Sequence, residues 1–277
     1  EQSPFAYQMS GGKLVRVPCH YTLQGDVLSF VFPEGYDSGR ELIIDPEISF
    51  SSYIGSTTSS FGYTATYDED GNLYAGAISF NPGYPETAGA FDGTHNGGTI
   101  DVGISKFNSN GTQLIYSTYL GGQGNESPHS LVVNEDNELY ILGSTGSSDF
   151  PTTASAFQSD FVGGPSLSFN IGYGFSHLSG TDIFVAKLNA NGTNLAASTF
   201  IGGSGNDGIS TDSNIEYNYG DAFRGEIILD DASAVYVASV TESSNFPTTN
   251  DAAQTGYAGG ATDGCIFKLN ANLSDLL

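Results

Sequence analysis

The sequence is poor in basic residues, in sulfur-containing residues and in tryptophan. Its 277 residues include 7 Lys and Arg against 31 Asp and Glu, one Met and no Trp, and the net charge is −24. Such a surface repels phosphate backbones and anionic lipids, so nucleic acids and membrane surfaces are disfavoured as partners. The same acidity attracts cations, or it serves only to keep an aromatic-rich protein soluble.

Cysteine and long apolar segments are also scarce. Cys19 and Cys265 are the only cysteines and lie far apart, which excludes a disulfide scaffold and a CxxC metal site. No apolar run approaches the roughly 20 residues that span a bilayer, so we expect no membrane insertion. No signal peptide is recognisable, and for an exported protein we expect the signal to have been removed or to lie outside this sequence. The three arginines (Arg16, Arg40 and Arg224) are too few for a sialidase-like site.

Glycine and aromatic residues are abundant instead. There are 37 Gly, 16 Tyr and 18 Phe, and only 14% of the residues are charged. This composition is typical of many short strands joined by glycine turns, whereas a helical bundle would contain more Lys, Glu, Leu and Ala. The composition therefore predicts an all-β protein.

Three versions of one segment recur along the chain. They are GGTIDVGISKFNSNGTQL (97–114), GTDIFVAKLNANGTNL (180–195) and GATDGCIFKLNANLSDL (260–276). A second segment recurs as SSYIGS (51–56), STYLGG (117–122) and STFIGG (198–203). From Tyr53 to Tyr119 the step is 66 residues, and longer steps elsewhere indicate two insertions of 15 residues, near Pro165–Ser179 and Ile209–Phe223. Fixed periods of this kind indicate a repeat architecture.

Each repeat contains four strand-like runs, here called a to d. In the second repeat we predict strands at 130–134, 139–145, 182–188 and 195–201. Asp70-Gly71, Asn110-Gly111 and Asn191-Gly192 predict tight hairpins, because these pairs supply the positive φ angles that such turns need. Four-stranded antiparallel units at a fixed period predict β-propeller blades. A β-solenoid is the alternative, although its rungs are normally shorter.

The predicted organisation is therefore a small β-module followed by three blades. Residues 1–46 do not match the repeat, and we predict strands there at 13–18, 20–23, 27–32 and 41–44. The three blades cover about 47–120, 121–201 and 202–277. Three blades leave a ring incomplete, so we expect the remaining blades to come from the rest of the same polypeptide. The segment Ile48–Ile54 is then a lone d strand that pairs with the last blade.

Several of these motifs together resemble the SBBP β-propeller repeat of bacterial surface proteins. The resemblance rests on STYLGG…GN, a strand pair ending in GST, FPTT…AF and GTDIFVAKLNANG, and PFAYQ (4–8) with LIIDP (42–46) resembles the module that precedes such propellers. It covers nearly the whole chain and departs from the pattern at the two insertions and at Leu273, where the other repeats have Gly. The resemblance implies a large secreted or cell-surface protein, of the kind exported by type IX secretion in gliding or biofilm-forming bacteria. It implies no catalytic residues.

Two acidic motifs are weak calcium candidates. GGSGNDGI (202–209), with Asn206 and Asp207, matches the nonapeptide of calcium-binding β-rolls, but such rolls need the motif in tandem. The interpretation that we favour is a sharp passage between blades, in which these side chains cap backbone amides. Asp68 and Asp70 resemble the start of an EF-hand loop, but no Glu follows at the twelfth position, so a hairpin turn is favoured. No cofactor is otherwise expected.

An Asp and a Lys recur five residues apart in every repeat, and a catalytic role would be one interpretation. Residues five apart on a strand point to opposite faces, so a structural role is favoured. The pairs are Asp101/Lys106, Asp182/Lys187 and Asp263/Lys268. No other acid–base pair or nucleophile can be assembled, so we expect the protein not to be an enzyme.

Both insertions are expected on one face of the predicted propeller, next to each other, since one is a b-to-c loop and the other a d-to-a passage. Aromatic rings beside carboxylates would suit stacking on sugars, and loops on a rigid scaffold often carry function. The alternative is that the insertions only pack on each other or on another domain. The predicted ligand-binding residues are Phe169, Tyr173, Phe175, His177, Asp212, Glu216, Tyr217, Tyr219 and Asp221.

Two functions follow from these expectations. The first is a secreted or cell-surface adhesion module that recognises a polysaccharide, or a surface or secretion-system protein, through this face. The second is a purely structural spacer in a large secreted protein.

Overall fold

Strands and the turns between them make up the described parts of the chain. The computed structural model describes residues 4–24, 27–45, 50–55, 57–169, 174–210 and 222–277. All regular secondary structure in these ranges is β-strand, arranged in antiparallel sheets of two to four strands. The predicted all-β class is confirmed.

The chain divides into two compact units, Glu1–Ser51 and Ser52–Leu277, close to the predicted division at 46/47. In the first unit one sheet has the order β2-β1-β5, and β3 pairs with β4. Three of the four predicted strands lie within one residue of their expected ends, the fourth is shifted, and the strand at 5–10 was not predicted. The strands are β1 (Phe5–Ser10), β2 (Lys13–Val17), β3 (His20–Gln24), β4 (Val27–Val31) and β5 (Ile43–Asp45).

The second unit contains one sheet for each sequence repeat. The first repeat sheet has the order β6-β7-β8-β9, the second β10-β11-β14-β15 and the third β16-β17-β18, while β12 and β13 form a separate hairpin within the first insertion. Each repeat sheet is thus an antiparallel meander, which is the topology of the predicted blades. The strands are β6 (Ser60–Tyr67), β7 (Leu73–Phe80), β8 (Ile100–Phe107), β9 (Leu114–Leu120), β10 (Glu126–Val133), β11 (Leu139–Thr145), β12 (Leu167–Phe169), β13 (Phe175–His177), β14 (Asp182–Leu188), β15 (Leu195–Ile201), β16 (Glu226–Leu229), β17 (Val235–Thr241) and β18 (Asp263–Leu269).

The predicted strands b, c and d of the second repeat have the predicted bounds, but strand a is longer. It begins at Glu126, and a bulge between Pro128 and Ser130 interrupts its pairing with β11. Two other expectations are corrected. Residues 50–55 form no strand, and 46–49 lie outside the described residues, so no d strand is found at Ile48–Ile54 in the described part. In the third repeat, strand d is reduced to a single bridge between Leu269 and Leu276.

The hairpin turns follow the sequence signals. Gly71, Gly111 and Gly192 have φ angles of 76°, 66° and 66°, as the predicted tight turns require. Leu273 replaces the glycine of the third c-to-d turn and still adopts a φ of 56°. Its side chain is buried in the core between the second and third repeat sheets, and this burial offsets the strain of a left-handed leucine.

Consecutive repeat sheets pack face to face. One face of the first sheet, with Tyr74 and Ile104, contacts Ile141 and Phe184 of the second sheet. The opposite face of the second sheet packs in the same way on the third sheet, in a core that includes Val185. Both faces of the second sheet are therefore buried, as its strand pattern predicted.

The glycine-rich passages between sheets are held by the sheet that follows. In the first passage the amides of Gln123 and Gly124 donate to Asp149 Oδ1 at 2.9 Å and to Ser147 Oγ at 2.6 Å. The second passage repeats this pattern with Ser204 and Gly205 as donors and Asn245 and Ser243 as acceptors. This confirms the interpretation of the GGxG motif as a sharp passage.

Candidate functional site

The two insertions lie next to each other in their described parts. The rings of Phe175 in the first and Phe223 in the second are stacked, with centroids 6.0 Å apart and planes at 29°. A hydrogen bond from Gly164 N to Ser179 O, 2.8 Å long, closes the base of the first insertion, and one from Ser210 N to Ala222 O, 3.0 Å long, closes the second. The insertions therefore form one cluster.

Phe175 and His177, two of the predicted ligand-binding residues, are buried. Their exposed fractions are 4% and 1%. Phe175 packs in a core with Ile78 and Phe80 of the first repeat sheet, and burial lowers the pKa of His177 to about 4. Phe169 ends strand β12. The other predicted ligand-binding residues lie outside the described residues: Tyr173, Asp212, Glu216, Tyr217, Tyr219 and Asp221.

A cavity of about 680 Å³ opens beside this cluster, among the first strands of all three repeats. The second insertion leads directly into its wall, because the insertion ends at Phe223 and Arg224 follows without a break. Sequence reasoning missed this cavity. It is lined by Gly62, Tyr63, His129, Phe223, Arg224, Gly225, Glu226, Ala238, Ser239 and Val240.

The wall of the cavity combines aromatic rings with polar groups. The rings of Tyr63 and Phe223 meet edge to face, with centroids 6.5 Å apart. Glu226 Oε1 accepts a hydrogen bond from the Ser130 hydroxyl, which fixes the carboxylate, and the Arg224 side chain is exposed. This arrangement offers a stacking surface, a cation and an anion within one concave site.

His129 belongs to the fixed part of the wall. Burial lowers its pKa to about 3, so the imidazole is neutral, and its Nε2 lies 3.1 Å from Ser144 Oγ. A Cβ on Gly225 would lie 3.2 Å from His129 Nδ1 and 3.0 Å from Leu142 Cδ2, so the strand lies close against these side chains. The only sequence feature that points to this cavity is the pair of glycines, Gly62 and Gly225, and it is a weak signal.

Two of the weak calcium candidates, Asn206 and Asp207, already accept hydrogen bonds. The Asp207 carboxylate accepts from the hydroxyls of Thr241 and Ser243 and, at 2.8 Å, from Gly203 N. Asn206 Oδ1 accepts from Thr181 N at 3.2 Å. The described residues contain no group of three or more His, Cys, Asp or Glu that could hold a metal ion.

Asp68 and Asp70 have different roles in their hairpin. Asp70 is an exposed turn residue, whereas Asp68 is buried. Asp68 accepts hydrogen bonds from Asn72 and Tyr74 and pairs with Lys106 Nζ at 3.1 Å. Burial opposes ionisation here, but these contacts outweigh it, and the pKa of Asp68 is lowered.

The lysine of each Asp/Lys pair has the structural role that was predicted. It lies over the ring of a tyrosine in the second strand of the same sheet and pairs with an acid of the a-to-b hairpin. The Nζ-to-centroid distances are 4.5 Å for Lys106 on Tyr74, 5.5 Å for Lys187 on Tyr140 and 4.5 Å for Lys268 on Tyr236. The acids are Asp68, Glu138 and Asp230, at 3.1, 3.2 and 3.4 Å.

One known family matches the first unit of the chain. A family described as a domain of unknown function (DUF7948) matches residues 1–47. No curated protein matches the chain. The described part of the chain includes no helix long and apolar enough to cross a membrane.

Proposed function

We propose that the second unit is part of a secreted or cell-surface β-propeller of the SBBP-repeat type, and that it binds a polysaccharide through the cavity beside the insertions. The observation that carries this proposal is the cavity of about 680 Å³, lined by residues of all three repeats. Its size falls within the range of small-ligand sites, roughly 300–1,000 Å³.

The chemistry of the cavity fits a sugar better than an apolar ligand. Tyr63 supplies a ring face for stacking, and Arg224 and Glu226 supply donors and acceptors for hydroxyl groups. The small residues of the lining let a flat, hydroxyl-rich ring approach the backbone. They are Gly62, Gly225, Ala238 and Ser239, and His129, Phe223 and Val240 complete the lining. The net charge of −24 opposes nucleic acid as the ligand.

The proposed role is recognition without catalysis. His129 lines the cavity and His177 lies in the first insertion. Both are buried and have a lowered pKa, so neither is suited to proton transfer at neutral pH. The second candidate partner is a surface or secretion-system protein that docks at the same face.

A further repeat sheet of the same polypeptide is part of the proposal. Ile228 and Ile266 of the third sheet are 58% and 86% exposed. The equivalent face of the second sheet is covered by the third sheet, so the same contact would cover these residues. The alternative function is a structural spacer, which needs no ligand. The continuous burial between sheets is the observation that supports this alternative.

A glycan array probed with the whole chain and with the Arg224→Ala variant tests the proposal. Removing a charge-assisted hydrogen bond costs about 1.5–3 kcal/mol, so we expect binding of the recognised glycan to weaken about tenfold or more. Arg40→Ala is the matched control, because Arg40 is an exposed arginine of the first unit that pairs with Asp37. The sugar-binding proposal fails if no glycan binds, or if both variants bind like the natural protein.

Point variants are preferable to cutting back the insertions. Phe175 and Phe223 belong to a core that includes Ile78 and Ile100 of the first repeat sheet, so trimming would disturb the fold together with the site. Thermal unfolding of Arg224→Ala, compared with Arg40→Ala, shows whether a loss of binding comes from the site or from the fold.

A further inference from the structure

Two carboxyl groups meet at the junction of the first and second repeat sheets. Asp101 lies near the start of β8 and Glu126 begins β10, and neither residue is exposed. A Cβ on Gly121 would lie 2.7 Å from Glu126 Oε2 and 2.8 Å from Asp101 Oδ1. The missing side chain of Gly121 therefore leaves the space in which the two groups approach each other.

The hydrogen bonds at this junction are unequally divided. Glu126 Oε1 accepts from the hydroxyls of Thr145 and Ser147, and its Oε2 accepts from Gly122 N at 3.1 Å. Asp101 Oδ2 accepts from Asn96 N at 2.7 Å. Asp101 Oδ1 is buried and has no donor among the described residues. A buried carboxylate oxygen without a donor, facing a second carboxylate, is strongly unfavourable when both groups are ionised.

The charged groups around Asp101 and Glu126 do not offset the repulsion between the two carboxylates. His95 Nδ1 lies 3.8 Å from Asp101 Oδ2, but burial lowers the pKa of this histidine. Asp92 adds a further negative charge near Asp101. In the described ranges, neither Asp101 nor Glu126 forms an ion pair with a lysine or an arginine.

We propose that Asp101 and Glu126 share one proton and form a carboxyl pair that locks the first repeat sheet to the second. In this arrangement Glu126, which already accepts three donors, carries the charge, and the proton on Asp101 supplies the missing fourth hydrogen bond. Loss of the proton to solvent leaves two buried carboxylates in contact and weakens the junction.

The pKa shifts agree with this geometry. Burial is the main cause that raises the pKa of Asp101 to about 8, and the charge of Glu126 adds to it. Burial also raises the pKa of Glu126, while its hydrogen bonds with Ser147 and Thr145 oppose the increase.

A related pair occupies the next junction, where it serves as an internal comparison. A Cβ on Gly202 would lie 2.6 Å from Asp182 Oδ1 and 2.8 Å from Asp207 Oδ2. Both oxygens of Asp182 have donors, however, from Val162 N at 2.8 Å and Gly163 N at 2.9 Å. Burial raises the pKa of Asp182 only to about 6, and Glu242 and Asp182 are the acids near Asp207.

The sign of the pH effect follows from these directions. A carboxyl group with a raised pKa in the folded protein stabilises it at low pH, and the contribution is lost as the pH rises from the ordinary value of 3.8 to the folded value. For Asp182 this loss ends near pH 6. The lowered pKa values of His129 and His177 act in the opposite direction up to about pH 6.5. Because the unfolded histidines, His95 included, are still partly protonated near pH 6.5, the contribution of the Asp101–Glu126 pair is read as the difference between the natural protein and a variant without the pair.

Urea unfolding of the full chain between pH 6.5 and 8 tests the proposal. We expect the Asp101–Glu126 pair to raise the unfolding equilibrium constant of the natural protein by up to about tenfold per pH unit in the lower part of this window, and by less as the pH nears 8. In Asp101→Asn the side-chain amide donates to Glu126 permanently, so this rise should disappear. Asp136→Asn, which changes an exposed turn residue in the same way, is the control and should keep the rise.

Infrared spectroscopy supplies a second measurement that does not depend on a variant folding. A protonated carboxyl band should be present in the natural protein at pH 6.5 and should fade as the pH passes 8. Glu126→Gln should lose this band and remain stable across the window. The proposal is overturned if the natural protein shows no such band, or if Asp101→Asn unfolds with the same pH dependence as the natural protein.

Discussion

The second and third repeat sheets share a strand order but differ in what covers them. Every residue of β11 and β14 is buried, whereas burial alternates along the equivalent strands β17 and β18. Val185 and Ile266 occupy equivalent positions, yet their exposed fractions are 0% and 86%. The sequences are similar, so the difference arises from the neighbours: the second sheet is packed between two others, and the third has one covered face in the described part of the chain.

The same contrast affects the polar groups. Lys106 and Asp68 of the first sheet have side chains that are 7% and 1% exposed, whereas those of Lys268 and Asp230 in the third sheet are 34% and 32% exposed. The same lysine–aspartate pair is therefore nearly buried in one repeat and partly exposed to solvent in another. Equivalent substitutions in these repeats should measure what burial contributes.

The largest effect is expected at Phe184, which is fully buried and lies with its ring centroid 4.4 Å from that of Phe150. Phe184→Ala should lower the free energy of unfolding by about 3–5 kcal/mol, because it removes apolar contacts and leaves a cavity. The equivalent residue of the third sheet is Cys265, and Cys265→Ala should cost about 1 kcal/mol. Urea unfolding followed by tyrosine fluorescence measures both. Both side chains are buried, so equal losses would show that the larger ring adds no stability at this position.

An intermediate effect is expected at the lysines. Lys106→Met leaves the Asp68 carboxylate buried without its cation and should lower the free energy of unfolding by about 3 kcal/mol. Lys268→Met removes the same charge from an exposed pair and should leave the urea midpoint nearly unchanged. The two variants make the same substitution in different repeats. Similar urea midpoints would show that burial does not determine how much the lysine–aspartate pair stabilises the protein.

The smallest effects are expected at the apolar pair. Val185→Ala should cost about 2 kcal/mol, since it removes two methyl groups from a core that includes Tyr140 and Phe267. Ile266→Ala should change the free energy of unfolding by no more than about 0.5 kcal/mol. A large loss at Ile266, measured by urea unfolding of the full chain, would show that this face is covered in solution.

Local signals explain why much of the fold could be predicted. The apolar runs at 139–145 and 182–188 gave correct strand bounds, and Gly111 and Gly192 gave correct turns, because these features depend on neighbouring residues. The first strand of the second repeat was predicted too short, since its start contains Pro128 and a bulge that have no alternating pattern.

The candidate site was harder to predict, because it depends on contacts between distant residues. Phe175 and His177 have the residue types of a sugar-binding loop but pack into the core. The cavity joins Tyr63 to Arg224, and the carboxyl pair joins Asp101 to Glu126, across different repeats. The repeated Asp was visible in the sequence, but nothing local showed that a second acid faces it.

The passages between sheets also determine how the chain can be divided. The amides of Thr99 and Ile100 in the first repeat donate to Asn125 Oδ1, in the passage that opens the second repeat, at 2.7 and 3.0 Å, so one repeat is completed only when the next has formed. Stability is then shared between nearest neighbours, as in other repeat proteins. Cleavage or truncation at a sequence-defined repeat boundary would leave backbone donors unsatisfied on one fragment. The smallest fragment able to fold cooperatively therefore extends past each boundary far enough to include the passage asparagine, Asn125 or Asn206.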